Sequence, residues 1–369
     1  MPVALHRQIG QLAVVGFAGT SLPAEIGALA REFDLGGVIL FKRNVESPEQ
    51  VAEIAVAAQQ LAVDLPLWVG VDQEGGRVAR LRSPLTEWPP MAALGRADDE
   101  TLAARFAAAL AAELKAVGFS IDFAPVLDVL TNPKNPAIGD RALGVKAETV
   151  AKLGVAIVKG LQGAGLAACG KHFPGHGDAG VDSHLDLPLI ESPPDRLEAV
   201  DYVPFRAAIE AGVAAIMTGH LLVPSLDEAR AATLSPTIVT GILRGQLGFN
   251  GLVFTDDMDM KAIAGRMTQD RAVVSAIAAG CDVTLLCGTD VQAHAAALEA
   301  LAHAVERDEL PFKRVEAALD HQRRAKERFA AMRNTTLSRA WRPMASPALR
   351  ALVGCLEHQV IAEEIRRFA

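Results

Sequence analysis

Short apolar runs alternate with amphipathic stretches through the first 310 or so residues. Eight runs, at 12–17, 36–41, 66–71, 120–125, 166–170, 214–217, 251–255 and 283–287, are set off by Gly, Pro or Asp. Continuous apolar runs of this length mark parallel strands covered on both faces. Between them lie alanine-rich or amphipathic stretches of helical length, at 23–33, 48–61, 99–117, 147–162, 194–211, 236–247, 261–279 and 291–306. Pro23, Pro48, Pro194 and Pro236 stand at or near a first helical turn, where a missing N–H costs nothing. Gly118 and Gly280 each follow a helix and precede a strand, as left-handed caps do. Eight strand–helix units in one series predict an α/β fold, a single (β/α)8 TIM-type barrel. A doubly wound open sheet is the runner-up.

Beyond residue 310 the pattern changes. Residues 311–334 read as one long charged amphipathic helix and 335–347 as a linker with Ser, Thr and Pro. A last helix is expected over 348–368, with Leu349, Leu352, Val353, Leu356, Val360 and Ile361 on one stripe. The expected organisation is thus a barrel with its closing helix at 1–334 and an appended linker and C-terminal helix at 335–369.

Composition narrows the function. Of 369 residues half are apolar, and 36 Lys and Arg against 44 Asp and Glu give a formal charge of −8. That balance speaks against nucleic acid as a partner, since the one dense basic run, 321–326, reads as a helix face. The four cysteines, Cys169, Cys281, Cys287 and Cys355, lack close pairs and read as buried free thiols. No stretch of 18 uncharged apolar residues suggests a membrane span, and the N-terminal residues lack the pattern of a secretion signal, so a cytoplasmic protein is expected. Gly75-Gly76 does not complete a GxGxxG pattern, and no cofactor is expected. Oligomeric state leaves no mark on the sequence.

In a barrel of this kind, chemistry sits where strands end. Those positions are unusually polar: Lys42-Arg43-Asn44 after the second strand, Asp72-Gln73-Glu74-Gly75-Gly76-Arg77 after the third, and Asp128 with Asp140-Arg141 after the fourth. The fifth runs into Lys171-His172-Phe173-Pro174-Gly175-His176-Gly177-Asp178 and then Asp182-Ser183-His184; His220 follows the sixth and Asp256-Asp257 the seventh. Four of the nine histidines fall in these segments. An Asp after a strand is often a helix N-cap, and Asp257 or Asp259 fits that reading. Asp182 and His184, two residues apart, suit a carboxylate that holds one imidazole nitrogen while the other faces a substrate; a surface loop pair is the plainer reading.

The segment from Lys171 to Gly177, four residues, then Asp182-Ser183-His184 resembles the KH(F/I)PG(H/D)GxxxxD(S/T)H signature of the β-N-acetylglucosaminidases of glycoside hydrolase family 3. Val71–Arg80 and Phe254–Met260 resemble the family's other blocks, in the same order, and the likeness spans roughly residues 10 to 330. It implies a barrel that removes non-reducing terminal N-acetylglucosamine with retention, through a covalent glycosyl–Asp intermediate. By the resemblance Asp256 is the nucleophile and His184, assisted by Asp182, the acid/base, while Asp72, Arg80, Arg141, Lys171 and His172 hold the sugar, with no metal. It further implies a cytoplasmic enzyme of cell-wall recycling, acting on anhydro-muropeptides or other small saccharides. Retaining glycosidases usually pair two carboxyl groups about 5–5.5 Å apart. A histidine in place of one adds no negative charge, so phosphate as acceptor, and hence phosphorolysis, stays open. Action on a different β-glycoside stays open as well. So does a metal-dependent barrel hydrolase with His172, His176, His184 and Asp256 as ligands, although Pro174 and Gly175 disfavour a helix that would align the first two.

Overall fold

The computed structural model describes residues 7–330 and 346–369. Ten strands run β1 (Ala13–Val15), β2 (Gly37–Leu40), β3 (Trp68–Val71), β4 (Gln73–Gly75), β5 (Val78–Ala79), β6 (Ile121–Asp122), β7 (Ala167–Phe173), β8 (Ala215–Thr218), β9 (Leu252–Asp257) and β10 (Val283–Leu286). Eight close into a parallel barrel in the order β1-β10-β9-β8-β7-β6-β3-β2. This is the (β/α)8 barrel that the alternation predicts, with each apolar run holding one barrel strand. The antiparallel hairpin β4–β5 sits on top, after β3. It is the one strand pair without a forecast, because its segments of three and two residues are too short to show a period.

Local chemistry explains the helices between strands. The helix Pro48–Gln59 starts with proline in its first turn and with the Ser47 hydroxyl accepting from Gln50 N at 3.1 Å. In the helix Glu100–Ala116, Asp99 accepts from Thr101 N and Leu102 N at 2.8 and 3.1 Å. Three expected helices differ in detail. Residues 197–201 and the segment Thr237–Gln246 wind as π-helix, and the helix expected over 261–279 divides into Lys261–Ala264 and Gln269–Ala279, the first ending at Gly265 and the second starting from an extended Thr268.

The barrel interior is filled by Val14, Ile39, Trp68, Phe123, Phe254 and their neighbours, with Phe123 edge-on to Phe254 at 5.4 Å. The floor is sealed by the helix Phe312–Phe329, the described part of the predicted closing helix. Phe329 joins the interior cluster, and Gln322 accepts from the Trp68 indole at 2.7 Å while donating to Gln11 O at 2.6 Å. Lys326, fully buried there, donates to Gln11 Oε1 at 2.6 Å and Gly36 O at 2.8 Å. Burial pulls its ammonium down to about 7, against the opposing pull of Asp34.

The linker expected over 335–347 lies largely outside the described residues. The final helix is two helices, Ser346–Leu352 and Leu356–Arg366, broken where Gly354 takes φ 61° and Cys355 is extended. The break turns part of the forecast stripe outward: Leu349, Val353 and Ile361 are buried, whereas Leu356 and Val360 are exposed. Among the described residues no helix is long and apolar enough to cross a membrane.

Candidate active site

The polar residues after the strands converge on a cavity of about 230 Å³ at the C-terminal mouth of the barrel. Its lining includes eight of the residues singled out from the sequence, Asp72, Arg80, Arg141, Lys171, His172, Asp182, His184 and Asp256, but not Lys42, Arg43, Asn44, Asp128, Asp140 or His220. One wall is an ion cluster. Lys171 Nζ lies 2.7 Å from Asp72 Oδ1 and 2.6 Å from Glu74 Oε1. Arg141 grips Glu74 with both ends of its fork, Nη2 at 2.7 Å and Nε at 2.8 Å, and Arg80 Nη2 donates to Asp72 Oδ2 at 3.2 Å. Burial opposes ionisation of Asp72 and Glu74, but Lys171 with Arg80, and Arg141 with Lys171, outweigh it and hold both carboxyls below their usual range. The same contacts lift Lys171 and Arg141 above theirs, although burial works against both. Both carboxylates, Lys171 and Arg141 are thus charged around neutral pH.

The hairpin that delivers Glu74 and Arg80 depends on its glycines. Gly75 and Gly76 have φ 109° and 57°, and a Cβ on either would sit 2.8 Å from Pro89 O or 2.9 Å from Pro90 Cα. Gln73 closes the hairpin, its Oε1 accepting from Arg80 N and Leu81 N at 2.8 and 3.0 Å, and its own N–H donates to Asp122 Oδ1 at 2.9 Å. Asp122 is fully buried, and burial raises its carboxyl well above the usual value.

A second group organises the loop beyond β7. The buried Asp128 accepts from His172 N at 3.1 Å and His176 N at 2.7 Å through Oδ1, while Oδ2 lies 2.7 Å from His172 Nδ1. That contact puts a proton on Nδ1 and leaves Nε2 as the free nitrogen. Burial pushes His176 down to about 4, so its ring is neutral at physiological pH, and its Nε2 lies 3.3 Å from Ser183 Oγ. Next to Ser183 the forecast pair forms: Asp182 Oδ1 accepts from His184 N at 2.9 Å and lies 2.8 Å from His184 Nδ1. The His184 side chain is 69% exposed.

Asp256 and Asp257 end β9. Burial disfavours an ionised Asp256, but His172, His220, the Asp257 N–H at 2.8 Å and Lys171 together hold its carboxyl below the usual value. Asp257 goes the other way: burial pushes it up to about 7, with Asp259 and Asp256 adding to the rise. Its Oδ1 accepts from Asp259 N and Cys287 N at 3.0 and 3.2 Å, and its backbone carbonyl accepts from His220 Nε2 at 2.9 Å. Two neighbouring carboxyls with pKa values driven apart suit a nucleophile beside a neutral group. Among the described residues no group of three His, Cys, Asp or Glu side chains is placed to hold a metal ion.

Residues 4–325 match the model described as "Glycosyl hydrolase family 3 N terminal domain". The chain belongs to glycosyl hydrolase family 3. It is a glycoside hydrolase. A β-hexosaminidase of Thiobacillus denitrificans is 44% identical over 261 residues, 69% of this chain and 71% of that protein. The β-hexosaminidase A of Pseudoalteromonas piscicida is 37% identical over 73% of this chain but only 48% of its own length. Among solved structures, a family 3 β-N-acetylglucosaminidase from Paenibacillus superposes with a TM-score of 0.90 at 39% identity, covering 99% of this chain and 68% of that one. NagZ from Neisseria gonorrhoeae in complex with N-trifluoroacetyl-D-glucosamine gives 0.75 at 29% identity, covering 97% and 98%.

Three residues of this family 3 hydrolase support the site without being assigned a part in it from the sequence, Glu74, Asp128 and His220, and His176 figures there only as a metal ligand. Each stands in a post-strand segment, so position was a signal. Their partners lie far along the chain, Glu74 from Arg141 by 67 residues and Asp128 from His172 by 44, and no local pattern pairs them.

Proposed function

We propose that this hydrolase removes terminal, non-reducing N-acetyl-β-D-glucosamine with retention of configuration. The observation that carries the reading is an ionised, half-buried Asp256 in one pocket with the Asp182–His184 pair and the Asp72, Glu74, Lys171, Arg80 and Arg141 cluster. In the first step an Asp256 carboxylate oxygen attacks the anomeric carbon. The bond to the leaving oxygen breaks, and the proton on His184 Nε2 passes to that oxygen. In the second step His184 Nε2 takes a proton from water, the water oxygen attacks the same carbon, and Asp256 is released. Asp182 holds Nδ1–H and so keeps Nε2 turned to the reaction. The carboxylates of the ion cluster accept from sugar hydroxyls, and Lys171, Arg80 and Arg141 donate. The names of the relatives support an acetamido sugar, since they are hexosaminidases and N-acetylglucosaminidases. Cytoplasmic cell-wall fragments, anhydro-muropeptides among them, are the substrates we propose.

Release of chromophore from an aryl N-acetyl-β-glucosaminide tests this, with the β-glucoside as control and EDTA in the buffer. Selective, chelator-resistant turnover that Asp256→Ala abolishes is expected. Equal turnover of the glucoside, or loss with EDTA, overturns the reading. Added phosphate decides the acceptor: no sugar 1-phosphate is expected if water is used.

A further inference from the structure

The C-terminal helices lie away from the pocket, yet they meet it through a single intermediate layer. Glu113, buried in the helix Glu100–Ala116, is the node. Its carboxylate accepts from Thr86 N at 2.9 Å, Thr86 Oγ1 at 2.7 Å and Gly354 N at 2.8 Å, and lies 2.8 Å from His358 Nδ1. One buried anion therefore ties residues 354–358 to the segment 83–90. The two chain segments also touch directly. A Cβ on Gly354 would lie 2.1 Å from Pro84 O, and Arg366 donates to Glu87 O.

On its other side the segment 83–90 carries the β4–β5 hairpin. Gly76 N donates to Trp88 O at 2.9 Å, and the backbone of Pro89 and Pro90 fills the space where side chains on Gly75 and Gly76 would go. The Trp88 ring stands edge-on to Phe106, centroids 5.0 Å apart, in the same helix as Glu113. The segment is one chain thick, held from outside by the C-terminal helices and bearing on its inner side the hairpin with Glu74 and Arg80.

We propose that the C-terminal helix pair, through Glu113 and His358, is a strap that fixes the height of the sugar-holding hairpin. The kinetic part of this inference rests on the reading of the pocket given above. Glu113 and His358 are positioning residues: they reach the substrate only through Thr86, Trp88 and the hairpin. Loosening them displaces Arg80 and the Glu74 that anchors Lys171 and Arg141, whereas Asp256 on β9 and His184 beyond β7 stay in place. Sugar binding weakens and the chemical steps do not.

The full-length variants His358→Ala and Gly354→Ala test the strap, with His358→Gln as the conservative change that keeps a side-chain N–H donor. Hydrogen exchange is followed in the peptide 72–90 and, as a control, in the strand 252–257. Exchange about tenfold faster in 72–90 with the control unchanged is expected for both disruptive variants, and smaller acceleration for His358→Gln. With the aryl N-acetyl-β-glucosaminide, KM should rise about three- to tenfold while kcat stays within about twofold of wild type. Acceleration confined to 346–369 with KM unchanged overturns the strap, because the helices then serve stability alone. Acceleration in both peptides also overturns it, as the signature of general loosening. Lack of wild-type turnover would sink the proposed function instead, and the exchange comparison would still decide the strap.

Discussion

Glu74→Gln is the sharpest probe of the ion cluster, because it changes one charge and almost no volume. Glu74 accepts two bonds from Arg141 and one from Lys171, all within 2.8 Å, with its side chain 2% exposed. The amide keeps one accepting oxygen and turns an NH2 toward a cation, so at least one bond is lost and two donors face each other. A hydrogen bond to a charged group is worth about 1.5–3 kcal/mol, and breaking a buried pair from one side costs about 3–5 kcal/mol. We expect about 2–4 kcal/mol of lost stability. Part of that disturbance reaches the sugar in the proposed binding mode, in which Lys171 and Arg141 are two of three cations that donate to it. A transition-state loss of about 1.4–2.8 kcal/mol corresponds to about a 10- to 100-fold fall in kcat/KM. The assay is kcat/KM on the aryl N-acetyl-β-glucosaminide alongside thermal unfolding from pH 3 to 8. Burial resists ionisation of Glu74, but Arg141 and Lys171 hold its folded pKa below the unfolded value of 4.5. Its stabilising contribution is therefore present above that value and lost as pH falls toward the folded one, so the gap between wild type and E74Q should narrow below about pH 4. A kcat/KM within about twofold of wild type, with equal midpoints at pH 7, would refute the clamp.

Two further substitutions separate charge from shape. Asp257→Asn keeps an oxygen for Asp259 N and Cys287 N. Because burial raises the wild-type carboxyl from 3.8 to about 7, the folded state holds its proton longer and this group lowers stability as pH climbs through that window. The variant's melting midpoint should gain on wild type between pH 4 and 8, and a constant difference would contradict the assignment. Asp282→Asn strikes the base of the barrel, where one fully buried carboxylate meets Arg244, Arg314 at 2.6 Å and His321 at 3.0 Å. Denaturant unfolding should show a loss of about 3–5 kcal/mol at pH 7 with KM unchanged; a raised KM would mean the floor communicates with the pocket.

How much of this the sequence discloses follows from what a linear pattern can encode. Burial on both faces leaves continuous apolar runs, and so all eight barrel strands are legible, including β6, of which only Ile121–Asp122 pairs regularly. The π-helical turns are not, because segments of five and ten residues are too short for i→i+5 spacing to stand out from an ordinary helical pattern. The break at Gly354 looks like one more tolerated glycine until the surrounding contacts show why the chain turns there. In the pocket, strand ends reveal position and the family motifs suggest roles. The supports behind those roles, Asp128 beneath His172 and Glu74 beneath Lys171 and Arg141, arise only when loops from different strands meet.

The two ends of the proposed reaction differ in anchorage. Asp256 emerges from the barrel wall at the end of β9, half-buried, whereas the His184 ring stands in solvent on a surface loop, between the exposed Val181 and Leu185. Tuning for the departing group can therefore proceed by loop replacement while the sugar's seat is inherited intact. For ligand design the corollary is a division of labour. A molecule filling only the deep seat reports on the sugar, and potency that discriminates one family member from another has to be sought at the solvent rim.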